Sequence, residues 1–289
     1  MPHPPDQPYW VVDPYTPVQG ALALDTLSPS PAWAYGDLDG QYLTGPLSNP
    51  GSVRNTLDAL LDVAVRIDPD GRGLDLAVPW VVTKHVELAV TRRALLRYRA
   101  PVRALNHLLN SRRLRLLGES HPDRTPEIAQ LGDSLHHRIA WESWSVALRE
   151  PPPRLDPGVS VVAVDGSYSH QAGVGVWCWY ASPDNFAAGV TGPGTSYDCE
   201  ILAARQALAA AASPTAPLTI LSDCTSVIAA LGFTPDGRRL PAAAAEIGSR
   251  PVSIRWVRGH ASNSLHNQAD TRARSLLRAY VAAMSPARH

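Results

Sequence analysis

In the second half of the chain, short apolar runs alternate with alanine- and leucine-rich stretches of helical spacing. The run VVAVDG (161–166) is β-branched and broken by glycine, the pattern of a buried strand ending at Asp165. QAGVGVWCWYAS and NFAAGVTG continue it as a second and third strand, and Ser182, Pro183, Asp184 and Asn185 between them supply turn chemistry. These three predict an antiparallel meander. Apolar residues then recur at helical spacing from Ser196 to Ala212, with Ser196 or Asp198 as the expected N-cap and Glu200 in the first turn. LTILSD is a further strand ending in Asp223, TSVIAAL a short helix, VSIRWVRG a last strand, and NQADTRARSLLRAY a closing helix with Asp270 near its start. A meander followed by alternating helices and strands predicts an α/β fold, a mixed sheet with helices on its faces.

Asp165, Glu200, Asp223 and Asp270 all fall at edges of these elements, and in such a sheet the ends of neighbouring strands meet. Carboxylates within a few ångströms of each other repel unless a cation neutralises them, so their convergence predicts a metal site. Hard oxygen ligands without a Cys or His pair at zinc spacing favour Mg²⁺ or Mn²⁺.

The segment 161–280 resembles a type 1 ribonuclease H. The resemblance is carried, in order, by strand-borne VDGS, the helix with CEILAA, strand-borne SDCTSV and the run GHASNSLHNQAD. It implies a mixed five-stranded sheet flanked by helices and endonucleolytic cleavage of the RNA strand of an RNA/DNA hybrid, leaving a 3′-hydroxyl and a 5′-phosphate. Asp165, Glu200, Asp223 and Asp270 become ligands of two Mg²⁺ or Mn²⁺ ions, and His260 an auxiliary catalytic histidine that shuttles a proton or aids product release. Phosphodiester hydrolysis suits such a site, because cations about 3.5–4 Å apart serve both ends of an in-line displacement. Choosing RNA requires a sensor for the 2′-hydroxyl, and Gly166, Ser167 and Gln171 are the candidates. The turn after Asp165, Ser-Tyr-Ser-His-Gln-Ala-Gly, departs from the family's Gly/Asn-rich pattern. His170 and His266 read as structural residues, and Trp177, Trp179 and Trp256 as core.

Laid beside the second half, the first half shows the same order of elements. YWVVDPYTPVQGALALDTL parallels VVAVDGSYSHQAGVGVWCWY, placing Asp13 with Asp165, and the later segments place Val53 with Glu200, Pro79 with Asp223, His121 with His260 and Asp133 with Asp270. The expectation is a tandem: a degenerate ribonuclease-H-like domain over 1–148, a Pro-rich linker over 149–158, and a catalytic domain over 159–289. Chance alignment of short apolar runs is the competing account of the repeat.

With a formal net charge of zero, the chain is no broadly basic nucleic-acid coat, so binding must come from local patches. One such patch runs from Arg92, Arg93 and Arg97 through Arg99, Arg103, Arg112 and Arg113 to Arg115 without an acid, and is a candidate grip for the hybrid. A solvated helix face is the alternative reading. Cys178, Cys199 and Cys224 form no CxxC pair and suit a reducing compartment. No signal peptide or membrane span is apparent, so the expectation is a cytoplasmic protein that engages no membrane. Two rival functions stand beside the favoured one: a non-catalytic nucleic-acid-binding protein, and a nuclease of this fold acting on another structured nucleic acid.

Overall fold

The computed structural model describes residues 17–48, 52–68, 73–89, 99–111, 113–211, 216–240, 251–259 and 263–285. Asp13, Arg92, Arg93, Arg97 and His260 lie outside the described residues. The chain is α/β and divides into two compact units, Met1–Thr26 with Ala32–His136, and Leu27–Pro31 with His137–His289.

The first unit is built on strands β1 (Val18–Asp25), β2 (Ala32–Asp37), β3 (Tyr42–Pro46), β4 (Leu74–Ala77) and β5 (Leu114–Leu117), with helices α1 (Val53–Ile67), α2 (Trp80–Ala89) and α3 (Arg99–Asn110). Its sheet order is β3-β2-β1-β4-β5: an antiparallel meander joined along β1 to two parallel strands. Leu22 and Leu24 of β1, Trp33 and Tyr35 of β2, and Leu74 and Leu76 of β4 alternate onto one face, where Leu57, Leu60 and Val63 of α1 cover them. Helix α4 (Pro126–Ala147) starts in this unit and ends in the second, since the units divide at His136 and His137. The run Pro151–Pro153 therefore lies inside the second unit. The expected boundary near residue 149 moves upstream because Ala140 and Trp144 of α4 are buried in the second unit's core.

The second unit repeats the pattern with β6 (Val161–Ser169), β7 (Val174–Ser182), β8 (Asn185–Thr191), β9 (Leu218–Ser222) and β10 (Val252–Trp256) in the order β10-β9-β6-β7-β8. β7 is antiparallel to both β6 and β8, while β9 runs parallel to both β6 and β10. Its helices are α5 (Ser196–Ala210), α6 (Thr225–Ala230) and α7 (Ser264–Met284). Period-two alternation sorts β6 between two cores. Val162 and Val164 pack with Ala203, Ala204 and Ala207 of α5 and Val227 and Ile228 of α6, whereas Ala163 joins Ala269, Ala273 and Leu276 of α7.

Alanine and glycine let α5 lie close on the sheet. A Cβ on Gly166 would come 2.5 Å from the backbone nitrogen of Glu200, and one on Gly175 would collide with Cys199 Sγ. The helix begins at a capping box: Thr195 accepts from the Asp198 backbone N–H at 3.2 Å, and Asp198 accepts the Thr195 N–H at 2.8 Å. The cap is thus one residue earlier than expected, with Asp198 as its partner.

Candidate active site

Asp165 sits within β6 and does not end it. The strand runs on to Ser169 beside β7, but β9 pairs with it only over Val161–Ala163. Beyond Ala163 the β9 side of the strand is open, and Asp165, on the same face as Ala163, opens toward α7. Asp223 directly follows Ser222, the last residue of β9. The Trp256 indole N–H donates to its carbonyl oxygen at 2.9 Å, and the absence of a side chain at Gly259 lets the carboxylate occupy space that a Cβ would claim. Glu200 enters from the first turns of α5, above Gly166. Asp270 enters from α7 and is ion-paired at 2.7 Å with Arg274 one turn on. Four elements therefore each deliver one acid.

Asp165 and Glu200 are buried, at 6% and 7% exposure. Burial, joined by repulsion from Glu200, Asp270 and Asp223, holds the Asp165 carboxyl well above the usual carboxylate range. Glu200 is pushed up to about 8, by burial first and by Asp223 and Asp270 among the causes after it, although hydrogen bonds that it accepts from the Gly166 backbone and the Asp165 carboxyl act in the opposite sense. Oε2 of Glu200 has no hydrogen-bond partner among the described residues. Buried carboxylates that repel one another, with an acceptor left over, form a donor set suited to a hard divalent cation.

His266, read from the sequence as structural, belongs to this cluster. Its ring is 2% exposed, with Nε2 3.3 Å from Asp223 Oδ1 and 3.8 Å from Asp165 Oδ1. These are ion-pair separations that lack hydrogen-bond alignment, and both ring nitrogens are without a hydrogen-bond partner among the described residues. Burial works against charging the ring, yet Asp223, Asp165 and Asp270 together raise its pKa. One ligand atom from each of Asp165, Asp223 and His266 can be chosen so that all lie within 4.8 Å of one another. The sequence did carry a signal for it: His266 stands four residues before Asp270, on the same face of one helix.

Other expected site residues are placed differently. Gly166 directs a backbone hydrogen bond to Glu200 and so serves the cluster itself. Ser167 pairs with Val176 in the sheet. Gln171 lines a cleft of about 730 Å³ with Tyr280 and Met284, to which none of the four acids contributes. Trp177 and Trp179 are buried as expected, but Trp256 is 44% exposed beside Asp223. Within the arginine-rich stretch, Arg115 pairs with Asp75 and, at 2.7 Å, with Asp123, while Arg113 donates to the Asp68 carbonyl at 3.5 Å. Those two cations are already engaged within the first unit.

Among the described residues, the first unit carries no comparable cluster at matching positions. The Leu74 N–H bonds the Arg113 carbonyl as that of Leu218 bonds the Pro251 carbonyl, which sets Pro79 against Asp223 as the sequence suggested. The paired registers of β1 with β4 and of β6 with β9 then set Ala23 against Asp165. Helix starts set Leu57 against Glu200, and the caps Thr125 and Asn263, which accept from Ile128 and His266, set Gly132 against Asp270. Val53 and Asp133 are thus displaced from the equivalences expected of them. Ala23 stands against Asp165 because β1 at Val18–Asp25 holds the central place expected for YWVVD. His121 lies in an exposed turn, where Nδ1 accepts from the Asp123 N–H at 3.2 Å.

No described helix is long and apolar enough to cross a membrane. Compared with known proteins, the chain matches no family model and no curated sequence.

Proposed function

We propose that the second unit is a cation-dependent endonuclease of the type 1 ribonuclease H kind, hydrolysing the RNA strand of an RNA/DNA hybrid. The carrying observation is the convergence of Asp165, Glu200, Asp223 and Asp270 from separate elements into a mutually repelling cluster in which Asp165 and Glu200 are buried. That arrangement costs stability in the absence of a counter-charge, which argues for a bound cation. The strand order, with acids at the open edge where β6 and β9 diverge, fits the same reading.

Bound there, two Mg²⁺ or Mn²⁺ ions would activate the attacking water and stabilise the departing 3′-oxygen. Asp165, which feels the charge of Glu200, Asp223 and Asp270, would help hold the ions. Glu200 and Asp223 would hold the cation that activates water, and Asp270 the one that stabilises the leaving oxygen. Water adds to phosphorus as the bond to the 3′-oxygen breaks, giving a 5′-phosphate and a 3′-hydroxyl. His260 is assigned a proton-shuttling part by the resemblance alone.

The first unit, with Ala23, Leu57, Pro79 and Gly132 at the matching positions, reads as a degenerate ribonuclease-H-like copy that has no cation site and serves binding. Arg92, Arg93 and Arg97 are assigned to phosphate contacts with the hybrid. The three free cysteines, Cys178, Cys199 and Cys224, fit action in the reducing cytoplasm.

The engagement of Gly166 by Glu200 and the placement of Gln171 in a separate cleft leave the 2′-hydroxyl sensor unassigned, which favours a substrate panel as the test. Labelled RNA/DNA hybrid, single-stranded RNA, duplex RNA and duplex DNA are incubated with the protein in Mg²⁺ or Mn²⁺. Cleavage confined to the hybrid, with the stated ends and lost in Asp223→Asn, is expected. Cleavage of another nucleic acid in preference to the hybrid would move the reading to a different substrate, and tight binding without cleavage would make both units a recognition scaffold.

A further inference from the structure

His266 occupies the cluster but plays no part in the ribonuclease H chemistry assigned above. It is held there deliberately: its backbone N–H donates to the Asn263 side chain at 3.0 Å, so the N-cap of α7 fixes the residue in the helix's first turn. The ring is nearly inaccessible, and neither nitrogen has a hydrogen-bond partner among the described residues. Buried imidazoles that serve packing have at least one nitrogen hydrogen-bonded in the great majority of cases. A buried ring whose Nδ1 has no partner among the described residues and whose Nε2 is directed at two carboxylates, without aligned hydrogen-bond geometry to either, has the character of a ligand waiting for its ion.

The spacing is close. Donors on adjacent corners of an octahedron with bonds near 2.1 Å lie about 3 Å apart, and those on opposite corners about 4.2 Å. The separations of Nε2 from Asp223 Oδ1 and Asp165 Oδ1, 3.3 and 3.8 Å, exceed the adjacent-corner spacing, so the three side chains would draw together by some tenths of an ångström around an ion.

We propose that His266 Nε2 is a ligand to the cation held by Asp165 and Asp223, and that this nitrogen makes the site select Mn²⁺ over Mg²⁺. The inference rests on the cation-site reading above and refines it. Mg²⁺ is a hard ion that takes oxygen donors and dehydrates reluctantly, whereas Mn²⁺, although it too suits carboxylates, belongs to the first-row series that binds mixed nitrogen and oxygen sites, at its weak end. In the bound form His266 is neutral, with its proton on Nδ1. The competing account makes His266 a protonated counter-ion that a cation displaces.

The full chain is titrated with Mn²⁺ and with Mg²⁺ by calorimetry in the absence of nucleic acid, beside His266→Ala, His266→Gln and Asp165→Asn, with folding checked by circular dichroism. Wild-type protein should bind Mn²⁺ at least about tenfold more tightly than Mg²⁺. His266→Ala should weaken Mn²⁺ by about ten- to a hundredfold while changing Mg²⁺ little, and His266→Gln, whose amide oxygen is a hard donor of similar reach, should bind both ions without the preference. Electron spin-echo modulation of the Mn²⁺-loaded wild type should show a directly bound nitrogen that is missing in His266→Gln. Mn²⁺ binding with no nitrogen coupling, or tightened by His266→Ala, would make the ring a displaced counter-ion and overturn the assignment while leaving the cation site standing. Failure of the wild type to bind either ion would remove the cation-site reading itself, and this proposal with it.

Discussion

Asp165 and Glu200 pay for their position in the folded protein. A carboxyl whose pKa is raised on folding contributes most to stability below its unfolded value, and that contribution is lost as pH rises through the folded value. For Glu200 the window runs from the ordinary 4.5 to about 8. Asp165 is shifted in the same direction, and so is His266, whose contribution likewise falls as pH rises through its raised value. The metal-free protein should therefore lose stability between about pH 5 and pH 8, as read by thermal melting, and a divalent cation should restore it. Glu200→Gln should flatten that slope, and a melting temperature unchanged across the range would contradict the electrostatic account. At this scale the acids were picked out because each was read at the edge of a predicted element, although Asp165 lies inside β6. His266 was not, because a lone histidine among apolar helix positions looks like a packed one. Only its helical phase with Asp270 and the closure of β6, β9 and α7 onto one point reveal it.

At the scale of elements, the site depends on how closely α5 approaches β6. Gly166→Ala would put a Cβ 2.5 Å from the Glu200 nitrogen and 2.6 Å from Cys199 carbon atoms, so strand and helix must part. We expect a cost of about 1–3 kcal/mol and a fall in cleavage, whereas Gly192→Ala, with nothing within 4 Å of the added Cβ, should leave the melting temperature nearly unchanged. Equal effects of the two substitutions in thermal melts would show that the contact does not matter. Thr195→Ala, which removes one half of the capping box, should cost about 1 kcal/mol, measurable by denaturant unfolding.

Most of the second unit's elements were readable, since β-branched alternation and helical spacing seldom conflict there. The extension of β6 past Asp165 was not, because Gly166 looks like a terminator, whereas it is the close-approach residue of a continuing strand. In the first half, two short apolar runs precede the meander, and periodicity alone does not say which of them takes the centre. Parallel pairing with β4 decides for Val18–Asp25.

On the scale of the whole molecule, the same strand order occurs twice, and the proposed reaction is assigned to one copy. Substitutions in the two units should therefore separate stability from activity. Asp75 is buried and paired with Arg115 across β4 and β5, so Asp75→Asn should lower stability by about 1–2 kcal/mol with cleavage intact. Asp223→Asn should abolish cleavage and leave the melting temperature unchanged or slightly raised, because it relieves repulsion in the cluster. Loss of cleavage in Asp75→Asn protein that remains folded would mean that the first unit takes part in the reaction. The tandem architecture was visible in the sequence as a repeated order of elements, but the residue equivalences needed backbone pairing. Ala23, Leu57 and Gly132 bear no chemical likeness to the acids they match.

The most direct test of the central claim is the single-turnover rate of hybrid cleavage as a function of divalent cation, wild type beside Asp165→Asn. The account predicts a rate that is absent without cation, saturates as cation is added, and falls at least about a hundredfold in the variant at every concentration. Cleavage that persists without cation, or that survives the loss of Asp165, would contradict it.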